Sequence, residues 1–332
     1  MKKGQVEVSY NWIFVLVAGA ALFGFLIFLV ASERDATEQR IANQYTNNLY
    51  NLINLQYQDE PGSSEILQTY SETFEFFCDA GGHGFRIEGG SSERTFETQP
   101  VFTPPQLSGD VIAQNLEYKM PFHLSPLLLV SDSNTKYYFK GKSDAITRLY
   151  SMMADEFNKE LLSPSDDFDP THRTNIVIAH PSTSVDADNV VRVEQTNSET
   201  VSETYRAYDV TVGGESYELL GESLVLSAIT TGNQNLFQCS LDKVRQRANK
   251  TLQLKLERSK QIRDDIEPDD FEEDCKSVFT VDTPSLKGVI PLLEAYSENI
   301  EDIGRSNGIL SNVTKIDERD EELGRFSCPR VY

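Results

Sequence analysis

Trp12-Ile13-Phe14-Val15-Leu16-Val17-Ala18-Gly19-Ala20-Ala21-Leu22-Phe23-Gly24-Phe25-Leu26-Ile27-Phe28-Leu29-Val30-Ala31 is an unbroken apolar run of 20 residues, inside a longer stretch without charge from Val8 to Ser32. As a helix it spans ~30 Å, the hydrocarbon thickness of a bilayer. A secretory signal has an apolar region of roughly 7–15 residues ending at a small-residue cleavage site. This run is longer, and Leu29-Val30-Ala31 matches such a site poorly. A soluble domain rarely buries so apolar a helix at one end. The sequence therefore predicts a retained transmembrane anchor over 8–32, with membrane lipid as its partner. Lys2 and Lys3 precede the run. Positive charge stays cytoplasmic, so residues 1–7 belong inside and the rest of the chain outside. The expected localisation is the cell membrane, single-pass, with an extracytoplasmic C-terminal domain.

Beyond the run, Ile41, Tyr45, Leu49, Leu52 and Leu55 recur at helical spacing until Pro61-Gly62. This predicts a stalk helix over 33–60 that continues the anchor. A short helix is expected over 65–73. Phe74 to Ile87 reads as two strands around a Gly81-Gly82-His83-Gly84 turn, followed by loop with edge pieces over 89–110. Leu116 to Phe122, Leu127 to Val130 and Tyr137 to Phe139 read as strands. Ser143 caps a helix carrying Ile146, Leu149, Met153, Phe157 and Leu161. Strands follow at Asn175 to His180, Val190 to Gln195, Tyr205 to Val212 and Ser216 to Leu220. Gly213-Gly214 is a two-residue hairpin loop. Leu224 to Thr230 is apolar and undecided.

The C-terminal third reads as helical. One helix carries Leu241, Val244, Ala248, Leu252 and Leu256, with eight basic residues between Lys243 and Arg263. A later one carries Leu286, Val289, Ile290, Leu293, Ile300 and Ile303, with Glu294, Glu298, Glu301 and Asp302 on its polar face. Opposite charge suggests an antiparallel pair. The predicted fold class is α+β: a single N-terminal transmembrane helix continuing into a stalk helix, a mixed β-sheet ectodomain over 61–238, and a C-terminal antiparallel helical pair within 239–332.

The 332 residues hold 30 Lys and Arg against 52 Asp and Glu, a net charge of −22. That excludes a nucleic-acid binder, which needs a basic face to displace counterions from phosphate. Hydrophobic residues make up 39%, too many for a disordered chain.

Lys2-Lys3-Gly4-Gln5 beside the apolar helix resembles the class III signal of archaeal type IV pilin-like proteins. The resemblance implies cleavage between Gly4 and Gln5 by a prepilin-type peptidase, with the helix left attached. It also implies other pilin-like subunits or surface proteins as partners. After that cut Glu7 is third and Ser9 fifth, the reverse of the family order. In the remainder, Phe77-Cys78-Asp79, Val101-Phe102-Thr103-Pro104, Phe237-Gln238-Cys239 and Ser327-Cys328-Pro329-Arg330-Val331-Tyr332 resemble an uncharacterised archaeal membrane-anchored family. That likeness implies location and architecture, without an activity.

Cys78, Cys239, Cys275 and Cys328 are widely spaced, with no C-x-x-C. Outside the membrane such cysteines pair, and four allow three connectivities. A straight helix over 240–263 would separate Cys239 from Cys275 by ~36 Å, too far for a bridge. Cys239–Cys328 is the expected pair, leaving Cys78–Cys275. His83, His123, His172 and His180 show no zinc spacing, and no P-loop, G-x-S-x-G or G-x-G-x-x-G occurs. No catalytic residue, cofactor or metal site is assigned. His83 is expected in a loop. Asp166, Asp167 and Asp169, and Asp186 and Asp188, read as solvated acidic surface rather than a calcium loop. Asn249-Lys250-Thr251 and Asn312-Val313-Thr314 match the glycosylation acceptor pattern. The functional expectation is a pilin-like surface protein with a structural or interaction role. The alternative is a membrane-tethered extracytoplasmic hydrolase.

Overall fold

The computed structural model describes residues 4–79, 82–88, 92–141, 143–167, 171–172, 174–185, 189–196, 205–265, 278–279, 288–300, 303 and 306–325. Helix α1 (Gly4–Gln58) is one element of 55 residues, so the apolar run and the amphipathic stretch after it share a single continuous helix. The chain then turns at Pro61-Gly62 into the first sheet.

That sheet has the order β3-β2-β1-β5-β6-β4. Its strands are β1 (Ser64–Asp79), β2 (Gly82–Ile87), β3 (Glu93–Thr95), β4 (Val101–Phe102), β5 (Gln106–Lys119) and β6 (His123–Asp132). Neighbours are antiparallel, except that β4 runs parallel to β6. The helix expected over 65–73 is not formed. These residues belong to β1, where Ser64 faces Gln114 and Tyr70 faces Gly109 across the ladder to β5. Strand pairing gives their backbone groups partners over a length that a short isolated helix could not stabilise. Its central strands β5 and β6 are buried on both faces. Along β5, Val111 and Ala113 point to one core while Ile112, Leu116 and Tyr118 point to another. This is the two-residue period of a strand.

Ser133 and Asn134 carry the chain directly into β7 (Thr135–Lys140) of a second sheet, ordered β12-β11-β10-β9-β7-β8. Helix α2 (Asp144–Met152) follows, its Ile146 amide donating to the Ser143 hydroxyl at 3.3 Å. The helix was expected to reach Leu161. It stops at Met152, because Lys159–Leu162 form β8, hydrogen-bonded parallel to β7. Phe157 still enters the core, its ring 6.0 Å from Tyr137. Then come β9 (Thr174–Ala179), β10 (Val190–Gln195), β11 (Ala207–Val212) and β12 (Glu215–Leu220). Val212 pairs with Glu215 around Gly213-Gly214, whose φ values of +59° and +92° suit glycine and close the two-residue hairpin.

The undecided apolar segment is helix α3 (Glu222–Thr231), with every residue from Leu224 to Thr231 buried. Its buried Ser227, Thr230 and Thr231 hydroxyls donate to carbonyls of its own preceding turn, so the helix packs in the interior against both sheets. Helix α4 (Gln234–Asp265) is longer than expected, with 32 residues. Helix α5 (Val289–Glu298) lies antiparallel on it: Lys260 pairs with Glu294 at 2.9 Å, and Ser297 meets Asn249. Leu252, Leu293 and Ile300 are buried in this seam. A further helix, α6 (Ser306–Arg325), packs on α5 and was not anticipated.

Two large cores result. One lies between the sheets and among α2 to α6. The other lies between the outer face of the first sheet and the C-terminal turns of α1.

Candidate functional site

The apolar half of α1 is uncovered. Trp12 is 71% exposed and Phe28 71%, and none of its most apolar 18-residue window is buried against the body. A core helix of a soluble domain would be covered; this one meets the length and composition of a membrane span. Gly4 and Gln5 stand in its first turn.

The other half of α1 is seated in the fold. Leu49, Ile53 and Tyr57 are buried against β5 and its neighbours. Tyr50 stacks on Phe96 with ring centroids 6.2 Å apart. Arg94 Nε donates to Asn47 Oδ1 at 3.0 Å, Gln99 donates to Asn54 at 3.0 Å, and the Arg247 guanidinium lies 4.9 Å from the Tyr57 ring. From Ile41 to Gln58 the helix has no charged residue. Hydrogen-bonding amides and buried apolar groups hold it in place.

At the edge of this seat Cys78 is bonded to Cys239, with Cα atoms 6.2 Å apart. This corrects the expected Cys239–Cys328 pairing, and with it Cys78–Cys275. The first turns of α4 lie across β1, and Cys239 therefore meets the sheet. Cys275 and Cys328 lie outside the described residues. His83, expected in a loop, is a strand residue. It faces Cys78 across the β1–β2 ladder and is 1% exposed. Its ring meets Phe96 edge-on at 5.3 Å, and neither nitrogen has a hydrogen-bond partner among the described residues.

A cleft of about 750 Å³ opens between the β5–β6 turn, the first turn of α3, α4 and α6. At its rim His123 Nδ1 lies 3.2 Å from Glu117 Oε1. The Ser223 hydroxyl donates to the Glu117 carbonyl at 2.9 Å instead of to an imidazole. Tyr205 donates to Asp317 at 3.1 Å, and burial, followed by the Asp317 charge, pushes this phenol well above its ordinary value. These groups form two separate bonded sets in the walls of a polar cleft, Glu117 with His123 and Ser223, and Tyr205 with Asp317, and no hydroxyl among them is bonded to the imidazole.

Among the described residues, no group of three or more His, Cys, Asp or Glu is arranged to hold a metal ion. Asp166 accepts from the Ser163 amide within a turn, while Asp169, Asp186 and Asp188 lie outside the described residues. Asn249 sits inside α4 and accepts from Ser297, and Asn312 sits inside α6, so neither acceptor pattern falls on a loop. Compared with protein-family models, curated proteins and solved structures, the chain finds no match.

Proposed function

We propose that the chain is a single-pass, pilin-like membrane protein whose folded body lies outside the cytoplasm and serves a structural or interaction role. The observation that carries this reading is an uncovered apolar helix continuous with a seated stalk on a disulfide-bonded body. Disulfides persist in oxidising compartments, which supports the outward orientation drawn from Lys2 and Lys3. The signal-like segment supports cleavage between Gly4 and Gln5. Interaction is favoured over hydrolysis because His123 is engaged with Glu117, Tyr205 with Asp317, and Ser223 with a carbonyl.

Membrane fractionation with mass analysis of the mature N-terminus tests the proposal. The chain should resist extraction at high pH, start at Gln5, and lose its body to protease added outside intact cells. A soluble chain starting near Ser32 would mean a cleaved secretory signal. A body protected from external protease would reverse the orientation.

A further inference from the structure

His83 is the least accommodated polar group at the seat of α1. It is buried, both ring nitrogens lack a hydrogen bond among the described residues, and it stands beside the Cys78–Cys239 bridge. Gly84 beside it shows how tightly β2 and β3 approach: an added Cβ would lie 2.2 Å from the Arg94 carbonyl oxygen. The ring touches Phe96, and Phe96 stacks on Tyr50 of α1. His83 thus connects the β2–β3 layer to the helix that the layer grips.

The charges around it come from α4, β1, β2 and β3. From α4, Lys243 faces it, donating to the Glu97 carbonyl at 2.7 Å. On β3 and its exit, Glu93, Arg94 and Glu97 are exposed, and Arg94 is turned to Asn47. On β1, Glu75 pairs with Arg86 of β2, and Asp79 is exposed. The seated turns of α1 offer no charge at all. Among the described residues no carboxylate is bonded to the ring, so an imidazolium here would be a second cation next to Lys243 in a dry setting.

We propose that His83 is an acid-released latch: protonation frees β2, β3 and the seated turns of α1 from one another while the core between the two sheets stays closed. Two observations make the opening local. The seat has its own hydrophobic core, separate from the one among α2 to α6. The Cys78–Cys239 bond keeps β1 tied to α4 and so bounds the movement.

Burial, and then the Lys243 charge, lower the His83 pKa from 6.5 to about 4. Above pH 6.5 the closed and open forms both hold a neutral ring, and pH has no effect. Between 6.5 and about 4 only the open form takes up the proton, so opening is favoured about tenfold per pH unit. Below about 4 both forms are protonated and the gain levels off near ~300-fold.

Hydrogen exchange on the full chain in detergent, corrected for intrinsic rates, tests this between pH 7 and 4. Amides over 42–57 and 82–96 should show the rise, and those over 174–195 should not. His83→Leu should flatten the rise in the first group. An equal rise in wild type and variant would overturn the proposal. If the variant does not fold, the wild-type ring decides by NMR: titration near 6.5 in the closed protein refutes the latch, and titration depressed to about 4 supports it.

Discussion

Glu222 shows how much of this fold depends on single polar contacts. Its Oε1 accepts from the Tyr208 hydroxyl at 2.7 Å and from Arg206 at 3.0 Å, and lies 3.7 Å from Arg148 Nε. Burial pushes the carboxyl up, but the hydrogen bonds from Tyr208 and Arg206 outweigh it, and the pKa is lowered. The group therefore contributes stability above its ordinary titration range, and this is lost as pH falls through the lowered value. Glu222→Gln should cost ~1–3 kcal/mol at neutral pH, discounted because Arg206 is partly exposed. In urea unfolding the difference from wild type should shrink steadily as pH falls below 4.5. A difference independent of pH would show that packing, not charge, is at stake. None of this was legible beforehand. Arg148, Tyr208 and Glu222 come from α2, β11 and α3, and Arg206 immediately precedes β11, so sequence spacing could not bring them together. His83 was closer to being readable. Phe74, Phe76 and Cys78 alternate on β1 and meet Ile87, Phe85 and His83 in register on one face. The flanking glycines hid that alternation behind a turn signal.

At the scale of elements, strongly periodic segments were readable, and misreadings arose where a sheet claimed the chain. Gly213-Gly214 and the Ser143 cap are local devices, and both act in the structure as their chemistry dictates. Local spacing places 65–73 and 159–161 in helices, and both join strands through distant partners that such spacing does not contain. The charge logic of α4 and α5 held only in part. Lys260 pairs with Glu294, but Lys243, Arg245 and Arg247 donate to backbone carbonyls of Glu97, Ile303 and Thr98. Glu298 is exposed and makes no ion pair among the described residues. Leu293 is fully buried. Leu293→Ala should therefore cost ~2–5 kcal/mol, and Glu298→Gln at most ~1 kcal/mol, less in high salt. Thermal or denaturant midpoints compare the two. A larger loss from the charge change would point to a different partner for that helix face.

Across the whole molecule, the Cys78–Cys239 bond spans a sequence separation of 161 and ties the sheet that seats α1 to the helical region. Closing so long a loop restricts the unfolded chain, and losing the bond should cost ~2–5 kcal/mol. Non-reducing peptide mapping should recover Cys78 with Cys239 and Cys275 with Cys328. Recovery of Cys239 with Cys328 would restore the pairing first expected and refute the placement of α4 on β1. The unbroken α1 has a consequence for how such a body lives above a lipid surface. About ten residues separate the end of the apolar run from Ala42, which packs on the seat, a stand-off of ~15 Å along a rigid rod. The screening length at physiological ionic strength is ~8 Å. With the apolar run in a bilayer, as proposed above, the folded body of this chain of net charge −22 would stand beyond the reach of anionic headgroups, and its acidity would not push it away from the lipid.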